Sequence, residues 1–383
     1  MTQDQFQSRL KPPTPELNFM IALGKLPHTE SGLPATMAGI RPMKSGLLLT
    51  VATAVALVAG GSPAKAIFIG DFNDVVDPGT NGSTYTVASG VNSSGEIVGT
   101  YNNLSNQAFT LSPGGTYTDV VVSSASTSTA NGVNDSGGIT GTYTDGSGGN
   151  HGYLQRGPTN TTHSFDAAGA DAGATFSNGI SAGGTTVGYY SQTTAGPVTT
   201  TYGFSRAVAS TSTTLNPSLI GGNAVLGIEA LGTNASGTTI VGSYQTSAGT
   251  FGFSETGGIY TSISDPAVGP GGYTVATGID SNGDIVGYYY DGGSVYNGFI
   301  DVGGVFTPVA DPNAGGDVTE VLGVNPTGTE IVGQYYNPNT SATVGFDSEI
   351  PEPGTFALFS LSALGIATIR RRRALGVRSV AAA

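Results

Sequence analysis

Gly278–Tyr289 reads GIDSNGDIVGYY, and two readings of it compete. Asp280, Asn282 and Asp284 alternate as the opening oxygens of a calcium loop do. The same residues also describe a hairpin turn, in which a leading Asp bonds its own downstream backbone and a fourth-position Gly supplies positive φ. Recurrence separates the two. The stretch returns as GVNSSGEIVGTY from Gly90, GVNDSGGITGTY from Gly132 and GISAGGTTVGYY from Gly179. It returns again as GTNASGTTIVGSY from Gly232 and GVNPTGTEIVGQY from Gly323. The turns are led by Asn92, Asn134, Ser181, Asn234, Asp280 and Asn325, and each has Gly in fourth place. Further acids do not recur, and calcium needs six or more oxygens, usually with a later bidentate acid that IVGYYYD withholds until Asp291. The shared element is a turn. Asp280, Asn282 and Asp284 remain a calcium alternative confined to one copy, and no other cofactor is expected.

Successive copies start 42, 47, 53, 46 and 45 residues apart, the spacing of a four-stranded β unit. Each continues to a small residue and an aromatic: Ala108-Phe109, Gly152-Tyr153, Gly203-Phe204, Gly252-Phe253, Gly298-Phe299 and Gly345-Phe346. Short β-branched and aromatic runs between Gly, Asn, Asp and Ser clusters read as strands joined by tight turns. No sustained 3.6-residue apolar stripe interrupts them, so helix should be nearly absent.

The sixth copy stops after Gly345-Phe346 without the FTPVADP segment that follows Gly298-Phe299 in the fifth. A matching FNDVVDP stands before the first copy, at Phe72–Pro78. A ring whose last unit borrows its final strand from the N-terminus produces this offset and leaves no open edge. The expected fold is all-β: a six-repeat β-propeller-like body closed by an N-terminal strand, with a C-terminal transmembrane sorting helix. A β-solenoid is the alternative. The domain plan is 1–42, a disordered segment or mis-assigned start; 43–66, a secretory signal; 67–350, the propeller-like body; and 351–383, a sorting tail.

Two features give the ends their meaning. MKSGLLLTVATAVALVAGGSPAKA, from Met43, joins a basic start, an apolar stretch and a small-x-small end, so signal cleavage is expected after Ala66, with Ala64 completing the motif. At the other end Pro351, Glu352 and Pro353 precede a short apolar stretch closed by Arg370, Arg371, Arg372 and Arg373. An apolar plug with a basic clamp is a stop-transfer element. The order of tripeptide, apolar stretch and Arg cluster resembles the PEP-CTERM sorting signal. The resemblance implies export, recognition by an exosortase and release or attachment at a bacterial surface, after transient anchoring in the inner membrane. The repeat itself, with its GINxxGxIVGxY and GFxxxxGxFT pieces, resembles the extracellular HAF repeat family, which implies a propeller-like structure and no assigned catalytic residue.

Between Ile67 and Ile350 only Arg156 and Arg206 oppose 22 acidic residues, a net charge near −20. Such a body repels nucleic acid and anionic lipid. With no Cys anywhere, neither disulfides nor thiolate metal sites are available. The body holds His151 and His163 alone; His163 and Asp166 could pair, but no Gly-x-Ser-x-Gly elbow accompanies them. Asp77, Asp265 and Asp311, each before Pro, read as turn residues ending outer strands. Gly99, Gly141, Gly188, Gly242, Gly287 and Gly333 imply a backbone or ring in close approach. Tyr101, Tyr143, Tyr190, Tyr244, Tyr289 and Tyr335 read as blade-packing residues, with a sugar-stacking girdle as the alternative.

These readings point to a non-enzymatic, exported surface or matrix protein with a structural or adhesive role linked to exopolysaccharide or biofilm. A carbohydrate- or protein-binding module is the first alternative, and an extracellular polysaccharide hydrolase or lyase the second. Expected partners are signal peptidase and exosortase during export, then exopolysaccharide or surface proteins.

Overall fold

The computed structural model describes residues 70–77, 85–156, 161–193, 198–316 and 318–350. The signal segment, the sorting tripeptide, the Arg cluster and the expected C-terminal helix lie outside them. β1 (Phe72–Val75) precedes the first blade, formed by β2 (Thr86–Val91), β3 (Ile97–Asn103), β4 (Ser105–Leu111) and β5 (Tyr117–Asp119). The second holds β6 (Ala125–Val133), β7 (Ile139–Asp145), β8 (Asn150–Arg156) and β9 (Thr161–Phe165). The third holds β10 (Thr175–Ile180), β11 (Thr186–Thr193), β12 (Thr199–Arg206) and β13 (Thr213–Leu215). A small hairpin, β14 (Leu219–Ile220) and β15 (Asn223–Ala224), is inserted next and accounts for the long 53-residue spacing. The fourth blade is β16 (Gly227–Thr233), β17 (Thr239–Thr246), β18 (Gly249–Thr256) and β19 (Ile259–Ile263). The fifth is β20 (Tyr273–Ile279), β21 (Ile285–Tyr290), β22 (Tyr296–Val302) and β23 (Val305–Val309). β24 (Thr319–Val324), β25 (Glu330–Asn337) and β26 (Ala342–Glu349) begin the sixth, and β1 completes it.

Closure is by register: Phe72 pairs with Ser348, Asn73 with Asp347, Asp74 with Phe346 and Val75 with Gly345, all antiparallel. A ring that shares a sheet between its first and last strands has no free end, so the β-solenoid alternative is wrong. Phe72 packs edge-on to Phe346 at 5.1 Å, and Val75 is buried with Ala88, Phe109 and Val332 where the sixth blade meets the first.

Each blade's second and third strands are held by one device. Gly99 lies opposite Phe109, and a Cβ on Gly99 would sit 2.0 Å from the Val87 carbonyl and 2.8 Å from the ring. Gly141 meets Tyr153, Gly188 Phe204, Gly242 Phe253, Gly287 Phe299 and Gly333 Phe346 in the same way. The missing side chain lets the aromatic lie flat on the strand, fully buried between blades.

The inner strands carry a second device that the repeat starts, placed at their glycines, leave out. A bulge falls before Gly90, Gly132, Gly179, Gly232, Gly278 and Gly323. These glycines close the axis: a Cβ on Gly90 would stand 3.1 Å from Gly132 Cα, and one on Gly323 3.2 Å from Gly90 Cα. The bulged residues also link blades, with Asn131 donating to Ser177 O at 2.8 Å, Asn178 to Ala230 O at 3.0 Å and Thr277 to Val321 O at 2.9 Å. The axial cavity this leaves is about 70 Å³, room for a few waters and no sugar chain.

Candidate functional site

The six inner turns gather at one end of the axis. Asp280 is fully buried, and its Oδ1 accepts from Asn282 N and Asp284 N, both at 2.8 Å, while Oδ2 accepts from Asn282 Nδ2 at 3.0 Å. Asn92 Oδ1 accepts from Ser94 N and Glu96 N at 3.0 Å, and Asn134 repeats the pattern with Ser136 N and Gly138 N, while Asn234 and Asn325, in the copies with one extra residue, accept from the N–H groups four and five residues on. Ser181 keeps one such bond, to Thr185 N. Asp280, Asn282 and Asp284 therefore meet as parts of one turn, and burial pushes the Asp280 carboxyl up from its ordinary range. Among the described residues no group of three or more His, Asp or Glu is arranged to hold a metal ion.

The turns also join blade to blade: Asn92 Nδ2 donates to Asn134 O at 3.2 Å, Asn134 Nδ2 to Ser181 O at 2.9 Å, and Ser281 N to Pro326 O at 3.0 Å. Asp265 and Asp311 end outer strands as expected, accepting from Ala267 N and Asn313 N. Their own N–H groups go to Thr274 and Thr319 hydroxyls at the start of the next inner strand, as Ala167 N goes to Thr175. Those threonines were not among the expected residues; they stand one repeat-variable loop away from the Asp they serve.

Of the six shared tyrosines, five are buried between blades and only Tyr143 is partly exposed, so they form no sugar-stacking girdle. Tyr101 bonds Asp119, Tyr190 Thr214, Tyr244 Ser262 and Tyr335 Asp74, each reaching its own blade's outer strand. His163 does not pair with Asp166. Asp166 instead bonds His151 Nδ1 at 2.8 Å, with Asp145 3.4 Å from Nε2 and Tyr143 stacked on the ring. Although burial opposes it, the two carboxylates hold the His151 pKa above its ordinary value.

The opposite end of the axis is different in kind. Just beyond the bulges, the first- and second-strand partners are Val87 and Thr100 in the first blade and Thr129 and Thr142 in the second. They become Phe176 and Tyr189, Glu229 and Ser243, Val275 and Tyr288, then Glu320 and Gln334 in the remaining four. Phe176 stacks on Tyr189 at 4.8 Å. In the fifth blade Tyr273, Tyr290 and Tyr296 form one cross-strand row, with Tyr290 and Tyr296 centroids 5.0 Å apart and Tyr273 Oη bonded to Tyr296 Oη at 3.3 Å. Tyr288 lies beside them, 6.4 Å from Tyr296.

Two carboxylates from different blades frame this aromatic group. Burial raises the pKa of Tyr288, and the charges of Glu320 and Glu229 both add to the rise. Burial likewise raises Glu229 and Glu320, and at Glu320 a donor, Gln334 Nε2 at 2.6 Å, works against the rise. Tyr189 is pushed up to about 12 by burial and then by Glu229. The arrangement offers flat apolar rings with carboxylate acceptors between them, the combination that holds a polyhydroxylated ligand. Sequence reasoning missed this face because its residues occupy the positions at which the repeats differ.

Residues 349–373 match the PEP-CTERM protein-sorting motif. The chain ends its propeller in a PEP-CTERM signal. This PEP-CTERM segment marks the protein as exported, an exosortase substrate and destined for the cell surface or the medium. No curated protein matches the sequence. Solved structures with a similar outline include TolB from Acinetobacter baumannii, at TM-score 0.47 and 14% identity over 67% of this chain, which spans 64% of TolB. A triple arginine-to-alanine mutant of AofleA from Arthrobotrys oligospora follows at TM-score 0.45 and 10% identity, covering 70% of this chain and 84% of that one. A puromycin hydrolase gives TM-score 0.40 and 10% identity over 72% of this chain and 55% of its own. Likenesses this distant say nothing of what the PEP-CTERM propeller does.

Proposed function

We propose that this PEP-CTERM propeller is a non-enzymatic surface or matrix protein that adheres to exopolysaccharide through the aromatic and acidic face described above. The observation that carries the reading is the tyrosine row Tyr273–Tyr290–Tyr296 with Tyr288, set between Glu229 and Glu320. Tyrosine rings offer apolar area for the flat faces of sugars, and half-buried carboxylates accept hydroxyls that water would otherwise hold. The remaining blades build the ring and its turns, in keeping with an adhesive or scaffold role and with the HAF-type repeat resemblance. Export by signal peptidase and sorting by exosortase deliver the protein to a matrix rich in such polymers.

Co-sedimentation of the purified protein with the producing cells' exopolysaccharide tests the reading. Retention by the wild-type protein and its loss in Tyr288→Ala support it. Failure of the wild-type protein to bind any envelope polysaccharide rules it out. A hydrolase would need two carboxylates acting on one bond.

A further inference from the structure

The point at which the sorting tail leaves the ring is fixed. β26 runs toward the end of the axis that holds the inner turns, where Glu349 pairs with Glu330. Ile350, the next residue, donates its N–H to Thr329 O of the sixth turn at 2.7 Å. Gly70 N donates to Glu349 O at 2.8 Å, so the segment leading into the closing strand starts at the same seam. Pro351 follows at once, and five residues, Pro351 to Thr355, separate Ile350 from the apolar stretch that begins at Phe356.

Five extended residues reach at most about 18 Å. The eight residues of β25 rise about 27 Å before any loop is added. A tether this short cannot carry the far end of the ring to the surface in which the apolar stretch is held.

From this geometry we infer that the propeller is displayed in one orientation, with the inner-turn face toward the membrane that holds its tail and the tyrosine–glutamate face outward. The inference rests on the reading of the chain as a tail-sorted surface protein, and it makes the outward face the one that meets polymers beyond the cell. It also restricts surface partners to that face and the rim.

Because the chain has no Cys, two single-cysteine variants report orientation without background. Leu104 stands fully exposed at the hairpin between β3 and β4, on the outward end, and Ser281 is exposed in the fifth inner turn. Leu104→Cys and Ser281→Cys are produced as full chains in a Gram-negative host lacking exosortase, and spheroplasts are treated with a large polyethylene-glycol maleimide. The labelling ratio is then measured again in detergent. Leu104→Cys labelled several-fold faster on spheroplasts, with the difference removed by detergent, is the expected result. A ratio unchanged by detergent overturns the orientation. A chain that does not remain with the spheroplasts at all overturns the tail-sorted reading instead, and the orientation with it.

Discussion

Tyr335 Oη donates to Asp74 Oδ1 at 2.9 Å, a bond that spans 261 residues of sequence. Its counterpart inside the first blade, Tyr101 to Asp119, has the same length but spans 18 residues. The closing blade is thus built like the others, with a strand from the far end of the chain in place of its own. Burial, reinforced by Asp74, pushes the Tyr335 hydroxyl up to about 12. A buried hydroxyl donating to a carboxylate contributes about 1.5–3 kcal/mol. Tyr335→Phe should therefore lower stability by roughly that amount in urea melts. Tyr143→Phe, whose parent ring stacks on His151 and whose hydroxyl makes no bond among the described residues, should stay within about 0.5 kcal/mol of wild type.

The glycine–aromatic pairs predict a sharper loss. A Cβ at Gly333 would lie 2.0 Å from the Glu320 carbonyl and 2.8 Å from the Phe346 ring. Gly333→Ala should cost at least about 3 kcal/mol, because one of the two clashes is with backbone. Adding Phe346→Leu should not restore stability, since the carbonyl stays in place. Full recovery in the double variant would show that the ring alone demands the glycine.

Acidic pH should stabilise this protein. Burial, then Asp347 and Glu349, raises the Glu330 pKa to about 7, and Asp265, Asp301 and Asp311 are also raised, chiefly by burial. A carboxyl with a raised folded-state pKa binds its proton more tightly when folded. Its contribution is complete below the unfolded value near 4.5 and is lost as pH rises through about 7. Thermal melts should give a higher Tm at pH 5 than at pH 7.5. Glu330→Gln should flatten that slope by an amount on the order of 1–2 kcal/mol, after allowance for its partial exposure. A Tm that falls on acidification would contradict the assignment.

The turn reading of Asp280 makes a prediction of its own. Asp280→Asn keeps the Oδ1 acceptor and supplies the amide that Asn92 and Asn134 use to reach the next blade. It should match or exceed wild-type stability at pH 7, whereas Asp280→Ala should lose about 1–3 kcal/mol. Wild-type Tm should not move when calcium is added or chelated; a rise of several degrees with calcium would restore the metal reading.

The ring was legible in the sequence because its devices repeat. Asn or Asp leaders recur in five copies, fourth-position glycines and glycine–aromatic pairs in all six, and the displaced FNDVVDP segment disclosed the closure. The bonds from outer-strand turns to Thr274 and Thr319 were less visible, since each crosses a loop whose length varies between copies. The tyrosine–glutamate face was not legible at all. Tyr288 repeats as Thr100, Thr142, Tyr189, Ser243 and Gln334, and Glu320 repeats as Val87, Thr129, Phe176, Glu229 and Val275. Periodicity isolates what copies share, and this face is made from what they do not.

The C-terminal segment is expected to decide where this propeller resides. Fractionation of the producing cells, comparing the full chain with one ending at Ile350, addresses it most directly. The full chain should be found with the envelope or surface matrix, and the truncated chain, still a complete ring, should be released in soluble form. Equal retention of both at the surface would contradict the account.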